Sequence, residues 1–197
     1  MKRCKLIFWL GVLVTILCSA SPAFSANLEP TYQETKDLMV LVRDAAGLVQ
    51  NVGAPAFSDF RKQGSRWLGG ERYIFVIDTK GNVYVNPSRP ELEGKNQLNL
   101  RDLVGRPFIK SFINETTAYP QKSEGWTHYV WIKPGQDQAQ WKTSYVKLVK
   151  AQDGKEYIVG SGLYNMKMER VFVVDVVDEA AELVKKQGKA AFPRLRD

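Results

Sequence analysis

Two runs rich in β-branched and aromatic residues, 141–150 and 157–163, flank the segment Ala151-Gln152-Asp153-Gly154-Lys155. Asp-Gly between such runs is hairpin chemistry, because glycine enters the left-handed backbone region at no steric cost. A third run, 126–132, precedes them. Earlier in the chain, 73–77 and 83–85 flank Asp78-Thr79-Lys80-Gly81-Asn82, a second hairpin signal. Five short strands joined mostly by tight turns call for an antiparallel sheet, since parallel neighbours need long crossovers.

The remaining segments supply helices to cover that sheet. Between residues 32 and 52 the apolar side chains fall at Leu38, Leu41, Val42, Ala45, Leu48, Val49 and Val52, which is helical spacing with one wet face. Gly53 and Pro55 end it, and a short second helix is expected over 56–62. Residues 87–124 are turn-rich, with a short helix expected near 108–116. Residues 171–186 read as a closing helix. The predicted class is therefore α+β, a long N-terminal helix packed on a five-stranded antiparallel sheet, with a C-terminal helix. One internal echo stands out. The pattern Ala45-Ala46-x-Leu48-Val49-x-x-x-Gly53-x-x-Ala56-Phe57-x-x-x-Arg61 recurs 135 residues later as Ala180-Ala181-x-Leu183-Val184-x-x-x-Gly188-x-x-Ala191-Phe192-x-x-x-Arg196, eight identities in 17 positions.

The first 25 residues read as an address. Lys2, Arg3 and Lys5 precede an uncharged apolar run from 6 to 18, and Ala23-Phe24-Ser25 presents small residues at the two positions a signal peptidase reads. The expected organisation is a signal peptide at 1–25, a ligand-binding domain at 26–170 and a helical extension at 171–197. The alternative is an uncleaved N-terminal anchor, since residues 6–26 carry no charge over a length that can span a bilayer. Cleavage removes three bases and no acid, so the net charge falls from +7 to +4, and no dense Lys/Arg stripe remains to suggest nucleic acid. It also removes Cys4 and Cys18, the only cysteines, leaving neither a disulfide nor a thiol nucleophile. The expected location is the periplasm.

Catalytic and metal-binding patterns are missing. A single histidine, His128, and no cysteine in the mature chain cannot make a zinc site of the usual kind. The glycines form neither a phosphate loop nor a dinucleotide fingerprint, and Gly160-Ser161-Gly162 lies in a strand, not at a strand-to-helix elbow. No catalytic residue, metal or cofactor is expected, and His128, out of phase with Tyr129 and Trp131, reads as a surface or structural imidazole. Aromatic residues point instead to a pocket. Tyr129 and Trp131 share one face of their strand, and buried phenols and indoles need polar partners, so they suit a cavity that is part apolar and part polar. Lys142, just inside the next strand, has two fates open to it: it can snorkel to water, or it can offer its ammonium to an anion among the aromatics, and Arg66 beside Trp67 is a second candidate cation. Tyr145 is a further candidate wall, and Asn86 could orient a ligand oxygen.

Taken in order, these segments resemble the Cache family of extracytoplasmic sensor domains, specifically the single-Cache type. The resemblance rests on Ala56-Phe57 with Phe60-Arg61, Tyr73-Ile74-Phe75-Val76-Ile77-Asp78-x-x-Gly81, Asn86-Pro87 and Gly94-Lys95-Asn96. It continues through Asp102-x-x-Gly105-x-x-Phe108, Gly125-Trp126-x-x-Tyr129-x-Trp131-x-Lys133-Pro134, Lys142-x-x-Tyr145-Val146 and Gly160-Ser161-Gly162-x-Tyr164. It covers about residues 35–170 and implies a PAS-like sheet that binds a small organic ligand, commonly a short carboxylate, on one face. Members often carry His-Pro where this chain has Asn86-Pro87. Relatives are mostly outer parts of membrane receptors, kinases or chemoreceptors. The resemblance therefore implies a chemotaxis-receptor-like sensing module, not an enzyme, whose partners are a small organic anion and a membrane receptor or kinase; a homodimer is compatible with it. The competing expectation, raised by the internal echo, is a protein–protein interaction module with a vestigial pocket.

Overall fold

The computed structural model describes residues 28–195. The signal-peptide reading, and Arg196 of the internal echo, lie outside the described residues.

Helix α1 (Gln33–Val52) leads into a 3-10 turn (Ala54–Ala56) and a single-turn helix α2 (Phe57–Phe60). A two-stranded ribbon, β1 (Leu68–Gly69) and β2 (Arg72–Tyr73), precedes the main sheet strands β3 (Phe75–Asp78) and β4 (Val83–Val85). A long loop carries α3 (Phe108–Thr117) and is followed by β5 (Glu124–Ile132), β6 (Ala139–Lys150) and β7 (Glu156–Tyr164). Helix α4 (Arg170–Gln187) and a 3-10 segment (Gly188–Leu195) close the chain. The main sheet is antiparallel, ordered β4-β3-β7-β6-β5. Among the described residues, no helix is long and apolar enough to cross a membrane.

Alternation along the strands gives the sheet two unlike faces. One is covered by α1, whose Leu41, Ala45, Ala46 and Val49 pack on Val76, Val149, Tyr157 and Val159. Alanines at the centre of that contact let the helix sit close. Val52, expected in the apolar stripe, is about half exposed, because the helix ends there. At the β5 end of this face, Leu38 and Val42 of α1 meet Trp126, Tyr145 and Phe172. The opposite face is covered by α3, whose Phe108, Ile109 and Phe112 pack on Phe75, Ile77, Tyr129, Val146 and Ile158.

The predicted strand over 73–77 is interrupted. Tyr73 belongs to the small ribbon, opposite Leu68, and the main ladder begins only at Phe75. Its carbonyl accepts a hydrogen bond from Ser161 Oγ at 2.8 Å, which ties the residue to β7 from outside the ladder. Both edges of the sheet have partners for their outward groups. Val83 exchanges hydrogen bonds with Gly94 and Lys95, which line β4. On β5, Val130 N–H donates to Asp102 (2.9 Å) and Trp126 N–H donates to Asp175 (3.0 Å). The α1 and α4 ends meet at Glu169, whose buried carboxylate accepts from the N–H groups of Thr31 and Tyr32 at 2.9 and 2.8 Å.

Candidate ligand-binding site

The face beneath α3 holds a small cavity lined by Tyr73, Asn86, Phe108, Phe112, Tyr129 and Trp131, among others. Its volume is about 20 Å³, room for about one water. The narrowness has a cause. Phe108 lies flat on Tyr129, with centroids 4.7 Å apart and planes 3° from parallel, and Phe112 stacks on Phe75 at 5.0 Å. The ring of Trp131 closes the same cluster 4.9 Å from Phe108.

Strand register sets the polar side of this cluster. Tyr129 on β5 stands opposite Lys142 on β6, which stands opposite Tyr164 on β7. Lys142 is fully buried. Its Nζ donates to the Tyr73 hydroxyl at 2.8 Å and lies 4.0 Å from the Tyr73 ring centroid and 5.0 Å from that of Tyr164. Among the described residues, Lys142 forms no ion pair with a carboxylate. A buried cation satisfied only by one phenol and two aromatic faces is costly, because desolvation of an ammonium outweighs cation–π attraction. Tyr129 Oη and Ser144 Oγ lie 3.0 Å apart, and full burial pushes the Tyr129 phenol well above its ordinary range. Tyr164 donates to the Ile132 carbonyl at 2.9 Å.

Two glycines make this arrangement fit. A Cβ on Gly160 would stand 2.3 Å from Cζ of Phe75, and one on Gly162 would stand 2.3 Å from Ser144 Oγ and 2.8 Å from Lys142 Cε. The Gly-Ser-Gly run is thus a clearance cut for the Phe75 ring and the lysine stem.

Of the residues singled out from the sequence, the structure brings together Lys142, Tyr129, Trp131 and Asn86. Asn86 spends its side-chain oxygen on the Arg89 N–H at 3.1 Å, while its amide nitrogen donates to no described residue. Two others lie elsewhere. Tyr145 is three residues from Lys142 on one strand, so it points to the opposite face, where it packs on Trp126 and accepts from Arg43 at 3.2 Å. Arg66 is surface-exposed, stacks over Trp67 and pairs with Asp44 at 2.5 Å. Tyr73 and Tyr164 are the polar neighbours that a reading of single strands misses; both stand at strand ends, where a ladder residue and a pocket residue look alike. His128 bonds Thr143 Oγ1 at 3.0 Å and sits edge-on to Phe172, and burial lowers its pKa.

A second polar cluster lies behind α3. Glu115 and Asp175 share Lys122, each at 2.7 Å from its Nζ. Two carboxylates on one cation leave the more buried one short of compensation. Burial, with Asp175 close by, pushes Glu115 up to about 8.

Comparison with known proteins bears on this architecture. Over 93 residues the chain is 31% identical to the methyl-accepting chemotaxis protein McpP of Pseudomonas putida, a match covering 47% of this chain and 16% of that protein. Over 96 residues it is 33% identical to the sensor histidine kinase MctS of Rhizobium johnstonii, covering 49% and 19%. The matched region therefore spans less than a fifth of either relative. Among solved structures, a periplasmic sensor domain of a chemotaxis protein superposes with a TM-score of 0.56 at 28% identity, covering 68% of this chain and 96% of that one. A Cache chemosensory domain described for its carboxylic acid recognition gives 0.57 at 23%, covering 68% and 94%. The second of these shares the fold. A Cache domain family model matches residues 62–190, a stretch that runs from before the ribbon to the end of α4. With the helix-covered antiparallel sheet and its aromatic cavity in the same stretch, the chain belongs to the Cache domain family.

Proposed function

We propose that this protein is a periplasmic sensing module that binds a short organic carboxylate over Lys142 and passes its ligand state to a membrane receptor or kinase. The observation that supports the reading is the fully buried Lys142 ammonium, held by aromatic faces and by the phenol of Tyr73, which itself lines the apolar cavity. A carboxylate placed there gains a charge-assisted hydrogen bond in a low-dielectric site, where it is stronger than in water. Tyr73 and Tyr129 supply hydroxyls, Trp131 a wall, and the Asn86 amide a further donor. The relatives named above are a chemoreceptor and a sensor kinase, and one structural neighbour recognises a carboxylic acid; these support the same reading.

The cavity of about 20 Å³ is too small for an organic acid, so binding requires Phe108 to unstack from Tyr129 as α3 and the preceding loop move outward. Ligand then favours the open arrangement by its differential affinity for it. In this reading residues 1–25 direct export and are removed, 26–170 form the binding module and 171–197 extend it. N-terminal sequencing of the exported protein tests the cleavage, since an intact Met1 refutes it.

A thermal-shift panel of mono- and dicarboxylic acids tests the binding. A ligand at about a hundredfold its Kd adds about 2.7 kcal/mol, which in a chain of this size raises Tm by roughly 5–10 °C. The small cavity favours a second reading, an interaction module with a vestigial pocket. A flat response across the whole panel would support that reading and refute the first.

A further inference from the structure

The loop that leads into α3 carries an apolar tip at the protein surface. In Arg101-Asp102-Leu103-Val104-Gly105-Arg106, Leu103 is 68% exposed and Val104 59% exposed. Asp102 beneath them is buried. Its Oδ1 accepts from the N–H groups of Val104 (3.1 Å) and Arg106 (2.7 Å), and its Oδ2 accepts from Val130 of β5 at 2.9 Å. The backbone also closes on itself. The Asp102 N–H donates to the Arg106 carbonyl, the Gly105 N–H to the Asp102 carbonyl, and the Arg101 guanidinium to the Gly105 carbonyl at 2.5 Å. Gly105 permits that closure with a positive φ of 87°. The N–H groups of 102, 104, 105 and 106 are thus spent within the tip, while the two side chains at its end are hydrocarbon.

Beside the tip stands Trp141, 51% exposed. Register sets it opposite Val130, the residue that Asp102 holds, and the Arg106 guanidinium lies 5.0 Å from its ring centroid. Charge sets this patch apart. Arg43, Arg61, Arg66 and Arg89 each pair with a carboxylate. Arg101 and Arg106 form no ion pair among the described residues.

We propose that this tip is a membrane-surface anchor: Leu103, Val104 and Trp141 enter the interface of an anionic bilayer, and Arg101 and Arg106 lie among its headgroup phosphates. Lipid offers few partners to a bare peptide group, and the backbone of this tip is already paired. An indole with one apolar body and one polar edge settles at headgroup level, and a neighbouring guanidinium reaches the phosphates there. A protein partner fits less well. Three apolar side chains fall far short of the roughly 800 Å² that each side of a stable protein interface buries, whereas a bilayer needs no matched surface. Apolar insertion and charge attraction, each weak alone, act together in such anchors. The inference goes beyond the carboxylate reading and does not rest on it. It keeps an exported module beside the membrane in which a receptor or kinase resides.

The test uses residues 26–197, which include every described element, and vesicles of equal phosphatidylglycerol and phosphatidylcholine at about 0.1 M salt. The protein should sediment with these vesicles and not with pure phosphatidylcholine. Leu103→Ser/Val104→Ser keeps the net charge and should weaken partitioning by more than about tenfold. Arg101→Gln/Arg106→Gln should weaken it about 25-fold, about fivefold for each charge. Lys62→Gln/Lys80→Gln removes the same charge from exposed positions near β4, at the other edge of the sheet, and should change it by less than about threefold. Bromine on the acyl chains should quench tryptophan emission of the parent, and Trp141→Phe should remove that quenching. All these variants alter exposed side chains, so each should melt within about 3 °C of the parent. The proposal is overturned if the parent does not sediment with the anionic vesicles. It is overturned equally if Leu103→Ser/Val104→Ser binds like the parent, which leaves adsorption by net charge alone, or if the arginine and lysine variants lose the same affinity. Quenching that persists without Trp141 overturns it, as does a lipid-free dimer that the tip serines dissociate, since a second copy then occupies the patch.

Discussion

Replacing Lys142 with methionine separates a residue kept for binding from one kept for folding. Methionine preserves the length of the stem and removes the charge. The lysine loses one hydrogen bond to Tyr73, about 1 kcal/mol, and cation–π contacts at 4.0 and 5.0 Å, together about 1–2 kcal/mol. Against this, the variant no longer buries an ammonium, a penalty of several kcal/mol. The free Lys142→Met protein should therefore be at least as stable as the parent in urea. Its affinity for the cognate acid should fall by ten- to a hundredfold or more, because a charge-assisted hydrogen bond is worth about 1.5–3 kcal/mol. Denaturant titration and calorimetry read the two quantities independently. A loss of more than about 3 kcal/mol in the free protein, the cost of breaking a buried ion pair, would refute the reasoning, as would unchanged affinity.

Gly160→Ala should destabilise the protein by about 1–3 kcal/mol in denaturant, because its Cβ meets the Phe75 ring at 2.3 Å in a sheet with no slack. Glu115 is held protonated up to about 8, above its unfolded value, so the folded state binds the extra proton between roughly pH 4.5 and 8. Stability from this group is complete at the acidic end and declines as pH rises through 8. Glu115→Gln should flatten the Tm–pH curve across that window, and a curve parallel to the parent's would contradict the assignment. Glu124 behaves oppositely. Burial alone would raise it, but hydrogen bonds from Arg43 and Lys147 hold it at about 2. Its contribution is present above about 4.5 and disappears as pH falls toward 2, so Glu124→Gln should lower Tm at pH 7 and converge with the parent near pH 2.

The sheet and its covering helices were legible because they depend on local signals. Asp-Gly turns, period-two alternation and a 3.6-residue stripe each survive in a single segment. The shared face of Tyr129 and Trp131 followed from the same alternation, whereas the register that sets Lys142 opposite Tyr129 is a pairing between strands that no single segment encodes. Alternation also separates Tyr145 from Lys142, three residues apart, and aromatic clustering in the sequence hid that separation. Tyr73 was obscured differently, since its place depends on a break between Tyr73 and Phe75, where the Tyr73 carbonyl accepts from Ser161 and the Ile74 N–H donates to the Trp67 carbonyl. The narrowness of the cavity comes from Phe108 lying on Tyr129, a meeting of residues 21 positions apart that no local pattern encodes. The echo between α1 and α4 was visible as letters, but not that the first copy is buried in the core while the second is only partly covered.

The two aspartates that cap β5 have a consequence for behaviour at high concentration. Asp102 and Asp175 occupy outward N–H groups of an otherwise nine-residue margin, and both are carboxylates that repel the carbonyls of an approaching chain. A stranger's extended segment finds no run of free donors to zip along, so fibrillar growth from this side is blocked at its first rung. Crowded copies of the folded protein should thus resist strand-to-strand growth along β5.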